Sequence, residues 1–306
     1  MLKPRALRSG DRVALVAPAS PFDRTEFDAG IAELTSLGFE PVFDERVFAR
    51  TSYLAGDAAL RAQAFQDAWH DPAVAALVAV RGGYGSVQVL PHLSRERIRA
   101  TPKAFVGYSD LTSMLTFLTL GCGLTAFHGP MLDRRLSRGA AGYDRQSFLA
   151  CLTRAEPAGE LAPPGLEVLR RGVAEGPIYG GTLTQLAASL GTPYAFRPPG
   201  PYVLFLEDVG ERPYRLDRLL TQLRLGGVLD GAVGVVVGEL TGCDEPDGPT
   251  GRGTMADLLR DVTGPVVIGF PSGHTAGPFI TLPLGVRVRL VADGRPRLVV
   301  EEAAVS

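Results

Sequence analysis

The chain has 306 residues, with 31 Lys and Arg against 33 Asp and Glu, a formal charge of −2 and 45% hydrophobic side chains. That length allows two domains or one large α/β domain, and 37 Gly and 24 Pro in an otherwise ordinary composition exclude disorder, collagen and coiled coil. The near-neutral charge, with no basic stripe, argues against a nucleic-acid binder, and the scattered Cys122, Cys151 and Cys243 exclude a disulfide framework or a Cys-x-x-Cys metal knuckle.

In chain order, residues 13–17 read as a first strand: the apolar run is stopped by Pro18 and is too short for a signal-peptide core. Phe27, Ile31 and Leu34 mark one face of a helix that ends at Gly38, residues 40–43 return as a strand, and Asp57 caps a helix carrying Leu60, Ala64 and Phe65. Residues 75–80 are continuously apolar, as in a strand buried on both faces. Then come the glycine-rich turn 81–86, a strand at 105–108, a helix from Asp110 with Leu111, Met114, Leu115 and Leu118 on one face, and a strand candidate at 124–127. This alternation predicts a parallel sheet covered by helices over residues 1–154.

Residues 155–165, with three prolines and two glycines, read as a linker. Beyond it, strands at 202–206, 232–237, 266–268, 286–291 and 298–301 and helices at 183–190 and 216–225, joined by irregular loops, predict a mixed α+β domain over 166–306. No run of 18 apolar residues occurs, so no membrane span is expected, and the cytoplasm is the expected compartment.

General-base chemistry near neutral pH usually calls for histidine, and the chain has four. His70, at a helix end, and His92, beside Pro91, read as surface or capping residues. His128, in Phe127-His128-Gly129-Pro130, stands at the carboxyl end of a strand, where open α/β sheets put ligands. His274 lies in a loop, 270–278, whose glycines and prolines fix the backbone around one titratable side chain, an arrangement that serves structure as well as catalysis.

Ser109 is the nucleophile candidate. In Gly107-Tyr108-Ser109-Asp110 it stands where a strand turns into a helix, with the first free amides of the helix beside it. The turn resembles the Gly-x-Ser-x-Gly elbow with Asp110 in place of the second glycine, although a serine there can equally be an N-cap. The turn 81–86 lacks the spacing of a dinucleotide fingerprint or a P-loop; its amides suit an oxyanion hole or a tight turn without a ligand. The apolar strand 202–206 runs into Glu207-Asp208, which sets a carboxylate at the mouth of the sheet. Asp244, Glu245 and Asp247 lack the alternate spacing of a calcium loop, and no metal or cofactor is expected.

Together these segments resemble the LD-carboxypeptidase family of serine peptidases, which includes cytoplasmic murein tetrapeptide carboxypeptidases and microcin C immunity proteins. The likeness runs nearly end to end, through residues 13–21, 81–86, 106–112, 128–130, 180–183, 206–208 with 212–214, and 273–275. Each piece is short, and their joint presence in this order is what makes the likeness specific.

The resemblance implies an α/β fold: an N-terminal parallel-sheet, Rossmann-like (class I glutamine amidotransferase-like) domain with the nucleophile, plus a smaller C-terminal mixed α+β domain with the acid and the histidine. It implies a triad of Ser109, Glu207 and His274, an oxyanion hole from main-chain amides near Gly83 and Asp110, and a homodimer acting on a small peptide in peptidoglycan recycling. Arg81, Tyr84, His128 and Thr182 are the candidate substrate contacts; the family often carries Asn at Thr182 and Ser at Ala19. By triad logic His274 takes the Ser109 proton as the hydroxyl attacks the carbonyl between an L-centre and a C-terminal D-amino acid, and an acyl-enzyme is then hydrolysed. A nearer rival is hydrolysis of a peptidyl or aminoacyl nucleotide, which an aromatic residue in a loop would favour, whereas Trp69, the one tryptophan, falls in a predicted helix. A farther rival is a non-catalytic small-ligand binding protein, which would be expected to have lost a triad member.

Overall fold

Val74–Ala79 contains no polar side chain and all its residues are buried, a pattern stable only at the centre of a sheet covered on both faces. In the computed structural model, which describes residues 1–306, this strand is the third of five parallel strands: β1 (Arg12–Val16), β2 (Glu40–Val42), β3 (Val74–Ala79), β4 (Ala104–Gly107) and β5 (Ala126–His128). Their order across the sheet is β5-β4-β3-β1-β2. The winding therefore reverses between β1 and β3, where a doubly wound sheet leaves a crevice at the carboxyl ends of its strands. The crossover helices begin where the sequence signals them: Asp23 accepts from the amides of Thr25 and Glu26 ahead of Arg24–Ser36, and Asp57 accepts from Leu60 ahead of Ala58–His70. Phe27 and Leu34 are buried on the expected face.

The later strands are β6 (Pro157–Leu161), β7 (Glu167–Arg170), β8 (Val173–Thr182), β9 (Tyr202–Glu207), β10 (Ala232–Gly238), β11 (Val266–Phe270), β12 (Leu282–Leu284), β13 (Arg287–Val291) and β14 (Arg297–Ala303). All but β12 form a second sheet in the order β6-β14-β13-β8-β9-β10-β11-β7, parallel from β8 to β11 and antiparallel at its flanks. The C-terminal half, expected to be the smaller unit, thus builds the larger sheet, eight strands against six.

Three expectations change. The stretch 155–165 is not a bare linker, because β6 lies within it and pairs with β14; main-chain pairing needs no apolar side chains, so composition gave no sign of it. The helix after Ser109 is a composite of a 3₁₀ turn (Ser109–Leu111), an α segment (Thr112–Thr116) and a π turn (Phe117–Gly121). Leu111, Met114, Leu115 and Leu118 are buried as expected, but so are Thr112, Ser113, Thr116 and Thr119, since the second sheet covers what would have been the solvent face. Finally β12, far along the C-terminal half, pairs antiparallel with β5 and completes the first sheet. No helix is long and apolar enough to cross a membrane.

Candidate active site

Ser109 follows β4 with a φ of 62°, a left-handed conformation that only four non-glycine residues of the chain adopt. Such a backbone costs about 1–3 kcal/mol and persists where neighbouring structure over-determines it. The hydroxyl does not cap the turn: Tyr108 occupies the N-cap position and no side-chain cap bond is made. At the β1/β3 crevice the glycine-rich turn closes against Ser109, since a Cβ built on Gly82 would stand 3.3 Å from Ser109 Oγ. Ser20, after β1, fixes this turn by donating its amide to the Gly82 carbonyl and accepting from the Tyr84 amide, each at 3.1 Å. Gly83 is exposed and its N–H has no acceptor within the protein. The Asp110 amide belongs to the leading N–H groups of a helical turn, which helical bonding leaves free. The Asp110 carboxylate is occupied otherwise, accepting from the Ser86 amide at 2.8 Å and from Gln185 Nε2 at 3.2 Å. Burial raises its pKa against those bonds.

Glu207 ends β9 and is 1% exposed. One oxygen, Oε2, accepts both from the His274 main-chain N–H at 2.9 Å and from His274 Nδ1 at 2.8 Å, and the other accepts from the Thr182 hydroxyl. Burial alone would push the Glu207 carboxyl up, but the adjacent imidazole, through its charge and its hydrogen bond, holds it down at about 2. Burial likewise opposes charge on His274, and the facing Glu207 carboxylate outweighs it, so the imidazole pKa is raised above its ordinary value. With Nδ1 committed to Glu207, Nε2 is the nitrogen left for a reacting group, and the side chain stays 21% exposed.

A closed circuit of contacts joins the serine turn to this pair. The Tyr108 ring lies edge-on to the His274 ring at 5.1 Å; His274 bonds Glu207; Glu207 bonds Thr182; and the Thr182 amide donates at 3.1 Å to Thr112 Oγ1, three residues beyond Ser109. Gly181 permits that last approach, as a Cβ there would come within 2.7 Å of Thr112. Gly273, at φ 92°, makes room for Glu207, because a Cβ there would overlap the carboxyl group. Gly273→Ala is therefore expected to cost about 3 kcal/mol, from left-handed strain plus the clash. Thermal unfolding would show it, and a midpoint within about 2 °C of the parent would contradict the close packing.

The remaining candidates separate. Tyr84 is exposed beside Tyr53, their rings 6.0 Å apart, next to the Gly83 amide. Arg81 faces Asp133 at 3.5 Å; burial lifts that carboxyl to about 6 and Arg81 only partly restrains it. Thr182 does not line the site as a substrate contact, since its buried hydroxyl is spent on Glu207. His128 does not line it either: it is fully buried beneath Tyr108 and Phe279, with Nδ1 3.1 Å from Ser272 Oγ, and burial drives its pKa down to about 4. The sequence names Asp208 with Glu207 but assigns it no role; it accepts from the Thr184 amide and hydroxyl at 2.9 and 2.8 Å. Burial, and then the charge of Glu207, raise it to about 6. Its only signal was adjacency to Glu207. A cavity of about 230 Å³ between β1, β2 and the helix Ala58–His70 involves none of the triad candidates; of its charged lining, Arg46 pairs with Asp44 and Asp67, and Arg61 is spent on the carbonyls of Pro18 and Gly85.

Residues 13–129 match the LD-carboxypeptidase N-terminal domain and residues 175–290 the LD-carboxypeptidase C-terminal domain. A murein tetrapeptide carboxypeptidase of Pseudomonas aeruginosa is 34% identical, over 87% of this chain and 88% of its own. The crystal structure of a muramoyltetrapeptide carboxypeptidase from Oxalobacter formigenes superposes with a TM-score of 0.84 at 29% identity, covering 95% of this chain and 99% of that one. A structure of the microcin C7 self-immunity protein superposes with a TM-score of 0.89 at 25% identity over the whole of both chains; the Escherichia coli protein of that name is 27% identical over 94% of this chain and 91% of its own.

Proposed function

This chain belongs to the LD-carboxypeptidase family and is a carboxypeptidase, and we propose that it works as a serine hydrolase releasing D-Ala from a murein tetrapeptide. His274 Nε2 takes the Ser109 proton as Oγ attacks the carbonyl between the L-centre and the terminal D-residue. The amides of Gly83 and Asp110 receive the developing oxyanion, each donor being worth about 3 kcal/mol. Glu207 keeps the proton on Nδ1 and balances the imidazolium; the D-amino acid leaves with a proton from His274, and water activated by the same histidine frees the acyl-enzyme. The observation that carries this reading is the Nδ1–Glu207 bond at 2.8 Å, which leaves Nε2 as the basic nitrogen. Trp69 cannot serve the nucleotide rival, being fully buried with its indole N–H donating to the Ile98 carbonyl at 3.2 Å, whereas the exposed loop aromatics Tyr84 and Tyr53 beside the Gly83 amide are the side chains it would use.

The strand order β2-β1-β3-β4-β5 supports a Rossmann-like, class I glutamine amidotransferase-like first domain. The family matches, falling on either side of residues 130–174, support a division into domains over 1–154 and 166–306. The buried, unpaired Cys122, Cys151 and Cys243 fit a reducing compartment. The cytoplasm, a homodimeric state and a part in peptidoglycan recycling complete the proposal on family likeness.

Incubation with L-Ala-D-Glu-meso-diaminopimelate-D-Ala and mass detection of free D-Ala tests the function; absence of release overturns it. The same assay run against pH tests the base. Only neutral imidazole accepts the proton, and Glu207 raises the His274 pKa. The acid limb of kcat/KM should therefore fall above the usual histidine value of about 6.5, with activity lost as pH drops through it. A rate flat down to about pH 4 removes His274 as base.

A further inference from the structure

By sequence the segment around His274 belongs to the C-terminal half, which binds it through Glu207, Thr241 and Glu239, but the N-terminal half grips it as well. Its continuation, β12, is an edge strand of the first sheet. Phe279 exchanges main-chain bonds with Gly142 and Asp144 at 3.2 and 3.0 Å, the Thr281 amide donates to Ser147 Oγ at 3.1 Å, and Ser272 contacts His128 from below. At the centre of this grip is Arg135, which sits in the run Asp133-Arg134-Arg135-Leu136-Ser137-Arg138. Its guanidinium donates through Nη2 to the carbonyls of Gly273 and Thr275, at 3.0 and 2.8 Å, and through Nη1 to those of Gly277 and Gly142, at 3.2 and 3.3 Å. The fork lies over the rings of Tyr108 and Phe279, at 5.9 and 5.7 Å, and Nε reaches the Tyr108 hydroxyl at 3.4 Å.

We propose that Arg135 is a positioning residue for the general base, binding the carbonyls of the residues before and after His274 so that the imidazole presents Nε2 to the Ser109 turn. The inference rests on His274 acting as that base. Glu207 holds the ring at one nitrogen and at the main-chain N–H, Thr241 Oγ1 donates to the His274 carbonyl at 2.6 Å, and Glu239 accepts from the Ala276 amide at 2.9 Å. The carbonyls of 273 and 275, one residue before and one after the histidine, are left to Arg135, whose two bonds fix the loop on the side facing the first sheet. A planar fork with five donors can bridge alternate carbonyls and stack on aromatic faces at once; a lysine ammonium cannot. Because Tyr108 immediately precedes Ser109, the same guanidinium touches the nucleophile's strand end and the base's loop, and so ties their separation to one side chain.

The charged and titratable groups around the His274 loop are Glu207 at the end of β9, Asp208 just after it, Glu239 after β10 on the Ala276 amide, His128 on β5, Tyr108 after β4, and Arg135. Arg135 is the cation among them and opposes protonation of the imidazole. Its loss should therefore move the acid limb to higher pH as well as slow the reaction.

The test uses the full chain, with D-Ala release from the tetrapeptide as readout, and compares Arg135→Ala and Arg135→Lys with the parent. Misplacing a catalytic group by about 1 Å costs roughly 10²-fold, so R135A should lose about 10² in kcat with KM within about threefold, show an acid limb at higher pH, and recover part of its rate in millimolar guanidinium. R135K keeps the charge but not the fork; it should lose about tenfold in kcat with the acid limb in place. A folded R135A with kcat within about threefold of the parent overturns the proposal, as does a loss that falls on KM alone. Should R135A fail to fold, R135K decides by the same criteria. A parent protein that releases no D-Ala sinks the proposed function instead, and the two failures are thereby distinguished.

Discussion

Ser109→Ala should lower kcat for D-Ala release by about 10⁴ to 10⁶ while leaving the fold intact, the range expected when a nucleophile is removed and the oxyanion donors and binding contacts remain. Its structural consequences are small because the hydroxyl makes no capping bond and Tyr108 holds the N-cap position. The capping alternative predicts the reverse: a loss of about 0.5–2 kcal/mol in stability and a rate near that of the parent. Ser109→Gly sharpens the comparison. At φ 62° a serine is strained and a glycine is not, so S109G should be inactive yet no less stable than the parent. A nucleophile that costs stability to hold in place is the pattern expected of a reacting group rather than of a packing residue. Rates and thermal midpoints for the two variants test this together, and an S109A protein that keeps most of its activity rules out the triad.

What could be read from the chain follows from which interactions are local. The buried strands β3 and β9 announce themselves as apolar runs, and Ser109 and Glu207 could be placed because each lies where such a run stops. Asp23 and Asp57 cap within a few residues of themselves and needed no tertiary context. β6 did, since its partner β14 lies more than a hundred residues away and its composition is that of a loop. The same distance hid β12 and three of the four carbonyls around Arg135, those of Gly273, Thr275 and Gly277. His128 was placed correctly at a strand end, whereas the strand that ends at Thr182 was not foreseen; strand position in any case does not say whether a side chain meets solvent or another strand's carboxylate, and here the packed Phe279 and Glu207 decide it. Assignment of the base depended on a bond across 67 residues, Glu207 to His274, of which the sequence offered only the two ends.

Glu207→Gln isolates the charge within that bond. A glutamine carbonyl oxygen in place of Oε2 can accept from both the main-chain N–H and Nδ1 of His274, and its amide nitrogen can donate to a Thr182 hydroxyl that has turned to accept. The imidazole tautomer and the packing are then preserved, because two donors converge on one position and exclude the flipped amide. What disappears is the attraction between carboxylate and imidazolium in the transition state. At about 4 Å and an effective dielectric of about 20 that is about 4 kcal/mol, or about 10³ in kcat. The loss should fall short of that for Ser109→Ala, since proton transfer survives. The pH profile fixes the cause. Glu207 raises the imidazole pKa, so its neutralisation must move the acid limb to lower pH, the opposite direction from loss of Arg135. Two variants that both slow the enzyme but displace the limb in opposite senses would locate the titrating base between these two charges. An E207Q enzyme within about tenfold of the parent, or one whose acid limb stays in place, would show that Glu207 shapes the loop without sharing in the proton transfer.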